Sequence, residues 1–207
     1  MSYESEVTAD SPVNWWRLGD TGTQTDEVGG LTLTPINSPT DGVAGLIGGD
    51  SDTAVSFDSA SSEYLINNTS DFRNSDNAGS IEAWFSSTAT DSYNCIFSCS
   101  SEISGKTLSL HLSGSGAIAV QASPNLISTN ATGFNDGNTH HVVLTSDGSR
   151  YKIYVDGADI SLDTPTLGAD DGNWFDSIPS TDNVVIGALK QTNLNFPFNG
   201  TIDEVAV

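Results

Sequence analysis

Short apolar or alternating segments, each bounded by Gly, Asp, Asn, Ser or Thr, recur along almost the whole chain of 207 residues. This spacing is typical of β-strands joined by turns, and no long segment has the 3.6-residue period of an amphipathic helix. Because strands and helices do not alternate, we predict an all-β fold, an antiparallel two-sheet β-sandwich. The predicted strands are 53–57, 64–66, 80–86, 95–99, 107–112, 117–121, 140–146, 151–155, 183–188 and 200–207.

Two features support this strand assignment locally. In segment 107–112, three leucines alternate with Thr, Ser and His, so the strand is predicted to be buried on one face only. The dipeptides Asp147–Gly148 and Asp156–Gly157 each follow a predicted strand. Asp-Gly is a strong signal for a hairpin turn, because both residues tolerate positive φ.

The charge of the chain excludes several classes of partner. It carries 27 Asp and Glu against 6 Lys and Arg, a formal net charge of −21. With so few cations to neutralise phosphates, nucleic acid is excluded as a partner, and anionic membrane surfaces are disfavoured for the same reason. No run of about 18 apolar residues is present, so no membrane insertion is expected.

The two cysteines are predicted to be free and buried. On one straight strand, Cys95 and Cys99 would lie about 13 Å apart, which is too far for a disulfide. Two cysteines are also too few for a disulfide framework.

No linker or internal repeat divides the sequence. We therefore predict a single domain over residues 1–207, with residues 1–10 as an N-terminal lead-in. Residues 1–10 have neither the basic region nor the apolar region of an export signal. Segment 158–181 is long for a loop in a compact domain, and loops of this length are more often functional than accidental.

Four stretches, in this order, resemble parts of a known family. Residues 11–20, Ser-Pro-Val-Asn-Trp-Trp-Arg-Leu-Gly-Asp, resemble its opening, and residues 80–85 resemble its central strand. Residues 136–157 resemble its His-containing hairpin, closed by Tyr-Val-Asp-Gly, and residues 198–207 resemble its last strand with Gly-x-Ile-Asp-Glu-Val. Together they resemble the LamG-like jelly roll of the concanavalin A-like lectin/glucanase superfamily, which implies a concanavalin A-like jelly roll. One departure is Thr139, where the family usually has Trp.

Asp20, Asp26, Gly29 and Asp203 form the candidate metal site. Calcium takes about six to eight oxygen ligands, which loop carboxylates and the carbonyls of a Gly-containing turn can supply. The resemblance implies that such elements hold a structural Ca²⁺ between the terminal strands. The alternative is that these acids are solvated loop residues or turn formers, because Asp favours turns.

Asn173, Trp174, Phe175 and Asp176 form the candidate contact site for a carbohydrate or a protein partner. A flat aromatic ring beside Asn and Asp suits a pyranose, which has an apolar face and hydroxyl groups at its rim. The alternative is that Trp174 and Phe175 fold back and cap one end of the core.

The residues do not favour an enzyme. Retaining glycosidases need two carboxyl groups about 5 to 5.5 Å apart, and the predicted strand 80–86 carries one acid, Glu82. No Ser or Cys in a nucleophile turn accompanies His140 and His141. The resemblance explains both histidines as residues that begin a strand.

The first functional hypothesis is a non-enzymatic structural protein of a phage virion. Residues 1–3, Met-Ser-Tyr, and 9–13, Ala-Asp-Ser-Pro-Val, resemble LamG-like domains of tailed-phage structural proteins, and this resemblance implies an exposed capsid decoration or tail-appendage module. Its expected partners are other virion proteins or copies of itself, and host cell-surface polysaccharide, with no nucleic acid. A strong negative charge keeps such modules soluble and mutually repelling. The alternatives are a free-standing extracellular calcium-dependent lectin and a divergent glycan hydrolase or lyase.

Overall fold

The structure, a computed structural model, describes residues 2–207. One α-helix, α1, spans Tyr3–Asp10, and two 3-10 turns span Ser59–Ser61 and Phe175–Ser177. The strands are β1 (Trp15–Trp16), β2 (Thr34–Ile36), β3 (Thr40–Ala44), β4 (Thr53–Phe57), β5 (Tyr64–Asn67), β6 (Gly79–Ser86), β7 (Tyr93–Ser100), β8 (Thr107–Ser113), β9 (Ile118–Ala122), β10 (Asn125–Ser128), β11 (His140–Ser146), β12 (Tyr151–Val155), β13 (Ala158–Ile160), β14 (Asn183–Ile186), β15 (Leu189–Lys190), β16 (Leu194–Asn195) and β17 (Gly200–Ala206). No helix within residues 2–207 is long and apolar enough to cross a membrane.

Two antiparallel sheets pack face to face. Sheet A has the order β13-β12-β11-β6-β17-β4-β3, with β1 paired to β17. Sheet B has the order β10-β9-β8-β7-β14-β5-β2, and β15 and β16 form a separate ribbon. This architecture confirms the predicted all-β, antiparallel two-sheet β-sandwich.

Each of the ten predicted strands is present, with ends that differ by two residues or fewer. The structure adds β1, β2, β3, β10, β13, β15 and β16, which are two to five residues long. Several of them, such as β3 with the sequence Thr-Asp-Gly-Val-Ala, have few apolar residues. Such short edge strands lack the alternation that identifies a strand in a sequence.

The core lies between the sheets, where Leu108, Leu110 and Leu112 of β8 are fully buried. The opposite face of β8 is also buried, including His111, which corrects the expectation of a strand buried on one face only. The chain that contains β15 and β16 crosses this outer face, and the ring of Phe196 meets that of His111 at 5.6 Å between centroids. Part of the outer surface of sheet B is therefore covered by its own chain.

Cys95 and Cys99 are both free and buried, as predicted. Burial raises the pKa of both thiols. Because the thiolate is the nucleophilic form, neither cysteine is suited to catalysis at neutral pH.

The predicted lead-in, residues 1–10, is largely helical, and Met1 lies outside the described residues. Helix α1 packs on the outer face of sheet A, where Val7 is buried against β1 and β17. The ring of Tyr3 meets that of Trp84 edge-on, at 5.9 Å between centroids. These contacts make α1 part of the sandwich.

The guanidinium of Arg17 lies among three carboxylates. It donates to Oε1 of Glu204 at 2.8 and 2.9 Å, and it pairs with Asp50 and Asp52 at 3.0 Å each. The other carboxylate oxygen of Glu204 accepts a hydrogen bond from the Trp15 indole at 2.7 Å. Burial raises the pKa of Glu204 to about 7, although Arg17 and Trp15 act in the opposite direction. We call these residues the Arg17 cluster, and they join the N-terminal segment, the loop before β4 and strand β17.

Replacing Arg17 tests this cluster. We expect Arg17→Ala to lower the free energy of unfolding by about 3 to 5 kcal/mol at neutral pH, because Glu204 is left buried without a cation beside it. The pKa of Glu204 is raised on folding, so its protonation stabilises the folded state as the pH falls through about 7. The loss of unfolding free energy in Arg17→Ala should therefore be smaller at pH 5 than at pH 8. Urea unfolding followed by circular dichroism measures it.

The matched control is Arg150→Ala, since Arg150 is exposed in a turn. Its expected change is within about 0.5 kcal/mol. Equal losses in the two variants at both pH values would contradict the role of the Arg17 cluster.

Candidate functional site

Asp26, one of the predicted calcium ligands, is buried, and both of its carboxylate oxygens accept hydrogen bonds. Oδ1 accepts from the backbone N–H of Trp15 at 3.0 Å and of Gly29 at 2.9 Å. Oδ2 accepts from the backbone N–H of Leu31 at 2.9 Å and from the side-chain amide of Asn14 at 2.6 Å. Burial alone would raise the pKa of Asp26, but these donors hold it below its ordinary value. The carboxylate therefore organises a turn and has no free oxygen for a metal.

The other three predicted metal ligands do not meet around one point. Asp20 is exposed and accepts a hydrogen bond from the N–H of Thr25 at 2.8 Å. Gly29 uses its N–H in the turn just described, and Asp203, buried on β17, accepts from the N–H of Leu46 at 2.8 Å. The predicted set of four residues therefore does not fit one calcium ion. Within residues 2–207, no three His, Cys, Asp or Glu side chains are grouped to hold a metal.

Asp203 differs from the rest of this set because one of its carboxylate oxygens, Oδ1, is buried without a hydrogen-bond partner among the described residues. Burial raises the pKa of Asp203 to about 6, and the nearby charges of Asp52 and Asp50 act in the same direction. A buried acid without a full set of partners is expensive unless a proton or a cation neutralises it.

Trp174 and Phe175 belong to the core, which confirms the alternative of a core cap and corrects the expectation of a platform for stacking a sugar. Each residue is only 1% exposed. Their rings meet at 5.3 Å between centroids, and Phe175 packs edge-on against Phe72 at 5.2 Å. The pair caps the core, so neither ring has a free face for a ligand.

Asn173 and Asp176 flank this buried pair and take part in local hydrogen bonds. The carbonyl of Asn173 accepts from the hydroxyl of Tyr151 at 2.6 Å. Asp176 is exposed; its N–H donates to the carbonyl of Asp76 at 3.0 Å, and its carboxylate accepts from Ser177 at 3.1 Å. These bonds fix the long segment between β13 and β14 against the sandwich.

A cavity of about 570 Å³ lies beside α1 on the outer face of sheet A. Among its charged side chains, Arg73 is paired with Asp76. The rings that line it are Trp174, which is 1% exposed, and His141, which is stacked on Trp84 at 4.7 Å between centroids. The Trp174 ring is therefore closed to a ligand, and one face of the His141 ring is covered by Trp84.

A groove of about 420 Å³ lies on the outer face of sheet B, where β7 begins and β8 and β10 end. Its lining is mostly hydroxyl-bearing, with one aromatic ring and one carboxylate. We call it the Tyr93 groove, and it is lined by Tyr93, Ser113, Ser115, Ala117, Ser128, Thr129, Thr132, Asp163, Thr164 and Thr166.

The ring of Tyr93 is half-buried at the start of β7, directly opposite Ser113 of β8. It is supported by the rings of His111 and Phe196, each at 5.6 Å between centroids. Burial lowers the pKa of His111 to about 3, so this imidazole is neutral at physiological pH. The groove thus has a partly open aromatic face held in place by two uncharged rings.

A tight turn after β8 forms one end of the groove. The hydroxyl of Ser113 accepts from the N–H of Ala117 at 3.0 Å and lies 3.0 Å from the hydroxyl of Ser115. Gly116 has a φ of +80°, and a side chain at this position would collide with Asn135. Only glycine suits both constraints. The turn is held by backbone hydrogen bonds, from the N–H of Gly116 to the carbonyl of Ser113 and from the N–H of Ser113 to the carbonyl of Ala117, at 2.8 Å each.

The opposite wall comes from the chain that follows β13 and returns alongside β10. The N–H of Asp163 donates to the carbonyl of Ser128 at 2.8 Å, and the N–H of Thr166 donates to that of Leu126 at 2.9 Å. The side chains of Asp163, Thr164 and Thr166 are exposed. Main-chain bonds thus leave these three side chains free to meet a ligand.

None of the site residues predicted from the sequence lines the Tyr93 groove. The signal in the sequence is weak, because Ser and Thr in segments 113–115, 128–132 and 164–166 are ordinary loop composition. Tyr93 is a single aromatic at a strand start, which gives no sign that it remains partly exposed.

Comparison with protein families gives a clear assignment. The model of the concanavalin A-like lectin/glucanases superfamily matches residues 58–207. The chain belongs to this superfamily. The match confirms the resemblance seen in the sequence and, with the two sheets, the concanavalin A-like jelly roll. Comparison with curated proteins gives no match.

Solved structures share the fold of this superfamily member at low sequence identity. A sialidase of Trypanosoma rangeli matches with a TM-score of 0.65 and 13% identity, over 95% of this chain and 30% of the sialidase. The CBM40 module of the Ruminococcus gnavus IT-sialidase matches with a TM-score of 0.53 and 18% identity, over 62% of this chain and 74% of the module. At these identities the likeness concerns the fold alone.

Proposed function

We propose that this domain is a non-catalytic glycan-binding module and that the glycan binds in the Tyr93 groove. The observation that carries the proposal is the partly open ring of Tyr93 beside a row of hydroxyl groups. Small-molecule sites are concave and combine an apolar surface with a few placed polar groups. This groove has both components.

The chemistry of the groove suits a sugar ring. The apolar face of a pyranose packs on an aromatic ring, while its hydroxyl groups need donors and acceptors at the rim. Ser113, Ser128 and Thr166 each supply a hydroxyl that can both donate and accept. The hydrogen-bonded turn after β8 lowers the entropy lost when a ligand orders these groups.

The structural comparisons support a glycan ligand as an expectation from the fold. The CBM40 module of Ruminococcus gnavus has been solved bound to alpha2,3 sialyllactose and to alpha2,6 sialyllactose. This chain spans only 30% of the Trypanosoma rangeli sialidase. The activity of that whole enzyme is therefore not transferred to this chain.

The lining of the groove supports a non-catalytic role. Glycosidases of the two-carboxylate type need a pair of acids on either side of the scissile bond. Asp163 is the one acid among the groove-lining residues. A sugar seated there would meet hydroxyls and an aromatic ring, and no acid–base pair.

We extend the proposal to location: the domain is an exposed capsid-decoration or tail-appendage module of a phage virion. Its contacts there are other virion proteins or copies of itself, and host surface polysaccharide. The support is the resemblance of residues 1–3, Met-Ser-Tyr, and 9–13, Ala-Asp-Ser-Pro-Val, to domains of tailed-phage structural proteins, together with the net charge of −21. Such a charge keeps neighbouring copies apart.

We also propose that Asp203, rather than the whole predicted set, supplies the carboxylate for a structural calcium ion. The support is its buried free oxygen, with Asp50 and Asp52 near enough to affect its charge. When bound, the ion would neutralise this buried acid. The remaining ligands would be backbone carbonyls and water, which calcium accepts readily.

The glycan site is tested with Tyr93→Ala. Binding to a panel of oligosaccharides, measured by isothermal titration or saturation-transfer NMR, should weaken at least about tenfold, because the stacking face is lost. The control is Tyr154→Ala, since Tyr154 is half-buried in sheet A. The proposal fails if both variants fold and bind as the unmodified protein does.

The same mixtures of protein and oligosaccharide should release no new reducing ends. Release of reducing ends would overturn the non-catalytic role.

The virion location is tested on purified phage particles from the source culture. Mass spectrometry should detect this protein in intact particles, and antibody labelling should place it on their surface. Its presence only in the free culture supernatant would favour the alternative of a secreted lectin.

The calcium proposal is tested by thermal unfolding in calcium and in excess EGTA. Calcium at 100 times its dissociation constant should add about 2.7 kcal/mol and raise the midpoint by several degrees. Asp203→Asn should abolish this rise, whereas Asp20→Asn, at an exposed acid, should keep it. A midpoint that does not respond to calcium in the unmodified protein would refute the proposal.

Without calcium, Asp203→Asn has a separate expected effect. The variant should be more stable than the unmodified protein at pH 8, by about 1 to 3 kcal/mol, because burying the charge of Asp203 raises its pKa on folding. This gain should shrink as the pH falls below about 6, where the native carboxyl is already protonated.

A further inference from the structure

We infer that the Tyr93 groove selects neutral glycans and rejects those that carry a carboxylate, such as sialylated sugars. The inference rests on the proposed function and specifies the ligand class of the same site. It follows from the position of charges in and around the groove.

Among the described residues, no Lys or Arg lines the groove. Its one charged lining residue is Asp163, which is exposed, and the other lining residues are Ser, Thr, Ala and Tyr. A sugar carboxylate is bound most strongly by Arg or Lys, which supply charge-assisted hydrogen bonds. His111, whose imidazole contacts the Tyr93 ring, stays neutral because burial lowers its pKa to about 3.

None of the six Lys and Arg residues of the chain is among the lining residues of the Tyr93 groove. Lys106 precedes β8 and Ser113 ends it, so these two residues lie about 20 Å apart along the strand. Lys190 is at the same distant end, paired with Glu102 at 2.9 Å. At physiological salt, charges are largely screened beyond about 8 to 10 Å. Neither lysine therefore assists an anion at the Tyr93 groove.

The remaining four cations do not line the Tyr93 groove either. Arg17 lies in its own cluster and Arg73 is paired with Asp76. Lys152 is paired with Asp159 at 3.6 Å, and Arg150 lies with Lys152 in a separate groove.

Besides lacking a cation that would bind an anion, the groove carries a negative charge that repels one. A sugar carboxylate would meet the charge of Asp163 within a space of about 420 Å³. Two like charges about 6 Å apart near a protein surface repel enough to weaken binding about tenfold or more. The net charge of −21 adds a general unfavourable potential for any approaching anion.

This selectivity would separate the domain from the Ruminococcus gnavus module, which is solved with alpha2,3 sialyllactose bound. The two share a fold at 18% identity. A shared fold does not imply a shared binding site, because the site is made by side chains on strand ends and loops. Ligand class therefore has to be argued from the residues of each groove.

The test uses matched pairs of oligosaccharides that differ only in an acidic sugar. Lactose is compared with 3′-sialyllactose, and further neutral oligosaccharides are compared with their sialylated or uronic-acid counterparts, by isothermal titration or NMR. We expect the neutral member of a bound pair to bind at least about tenfold more tightly. Added salt should narrow this difference, because it screens the repulsion.

Variants of Asp163 separate the effect of charge from that of shape. Asp163→Asn should reduce the discrimination, and Asp163→Lys should reduce it further or reverse it. Glu6→Gln is the control, since Glu6 is exposed on α1, which covers the other sheet, and it should change nothing.

The outcomes distinguish this inference from the proposed function. If acidic and neutral members bind equally, or if the acidic members bind better, and Tyr93→Ala weakens both, then the groove binds glycans and the inference is wrong. If no member of any pair binds the unmodified protein, the proposed function itself fails, and the inference with it. Discrimination that persists unchanged in Asp163→Lys would also overturn the inference, because charge would not be its cause.

Discussion

The fold depends on the placement of its last strand at the centre of a sheet. Strand β17 lies between β6 and β4, so sheet A is incomplete until the C-terminal segment has paired on both sides. The Arg17 cluster holds this strand to the N-terminal segment through Glu204. Glu204 has a φ of +50° at an irregularity in β17, a conformation that costs energy for a residue other than glycine. The ion pair and the Trp15 hydrogen bond offset that cost.

The Tyr93 groove depends on a different feature, the partial covering of sheet B. The chain around β15 and β16 crosses the outer face of this sheet and buries the polar residues of β7 and β8 beneath it. Phe196 marks the end of this cover, and Tyr93 lies next to it, only half-buried. The same segment therefore seals one part of the sheet and supports the ring that remains available to a ligand. Neighbouring parts of the outer face of sheet B therefore serve stability and the proposed binding.

The sequence predicted the strands well and the site residues poorly, for physical reasons. The ten long strands are visible because alternate or continuous apolar residues must face a core. The candidate residues Trp174 and Phe175 are aromatic and lie in a long loop, yet the structure buries both. Asp26 has the side chain of a calcium ligand, but backbone N–H groups occupy its oxygens. Burial and hydrogen-bond satisfaction are tertiary properties that residue type alone does not reveal.

The amino-acid sequence by itself determined the β-sandwich class, the main strands, the superfamily and the scarcity of cations, because these follow from local pattern, motif order and composition. Only the tertiary structure decided which acids meet Arg17, which aromatics are buried and which hydroxyls line a common groove. The lining of the Tyr93 groove comes from residues between 93 and 166, on strands and loops far apart in the chain. Their proximity arises from strand pairing and from the path of the chain after β13. No pattern within a single segment contains that information.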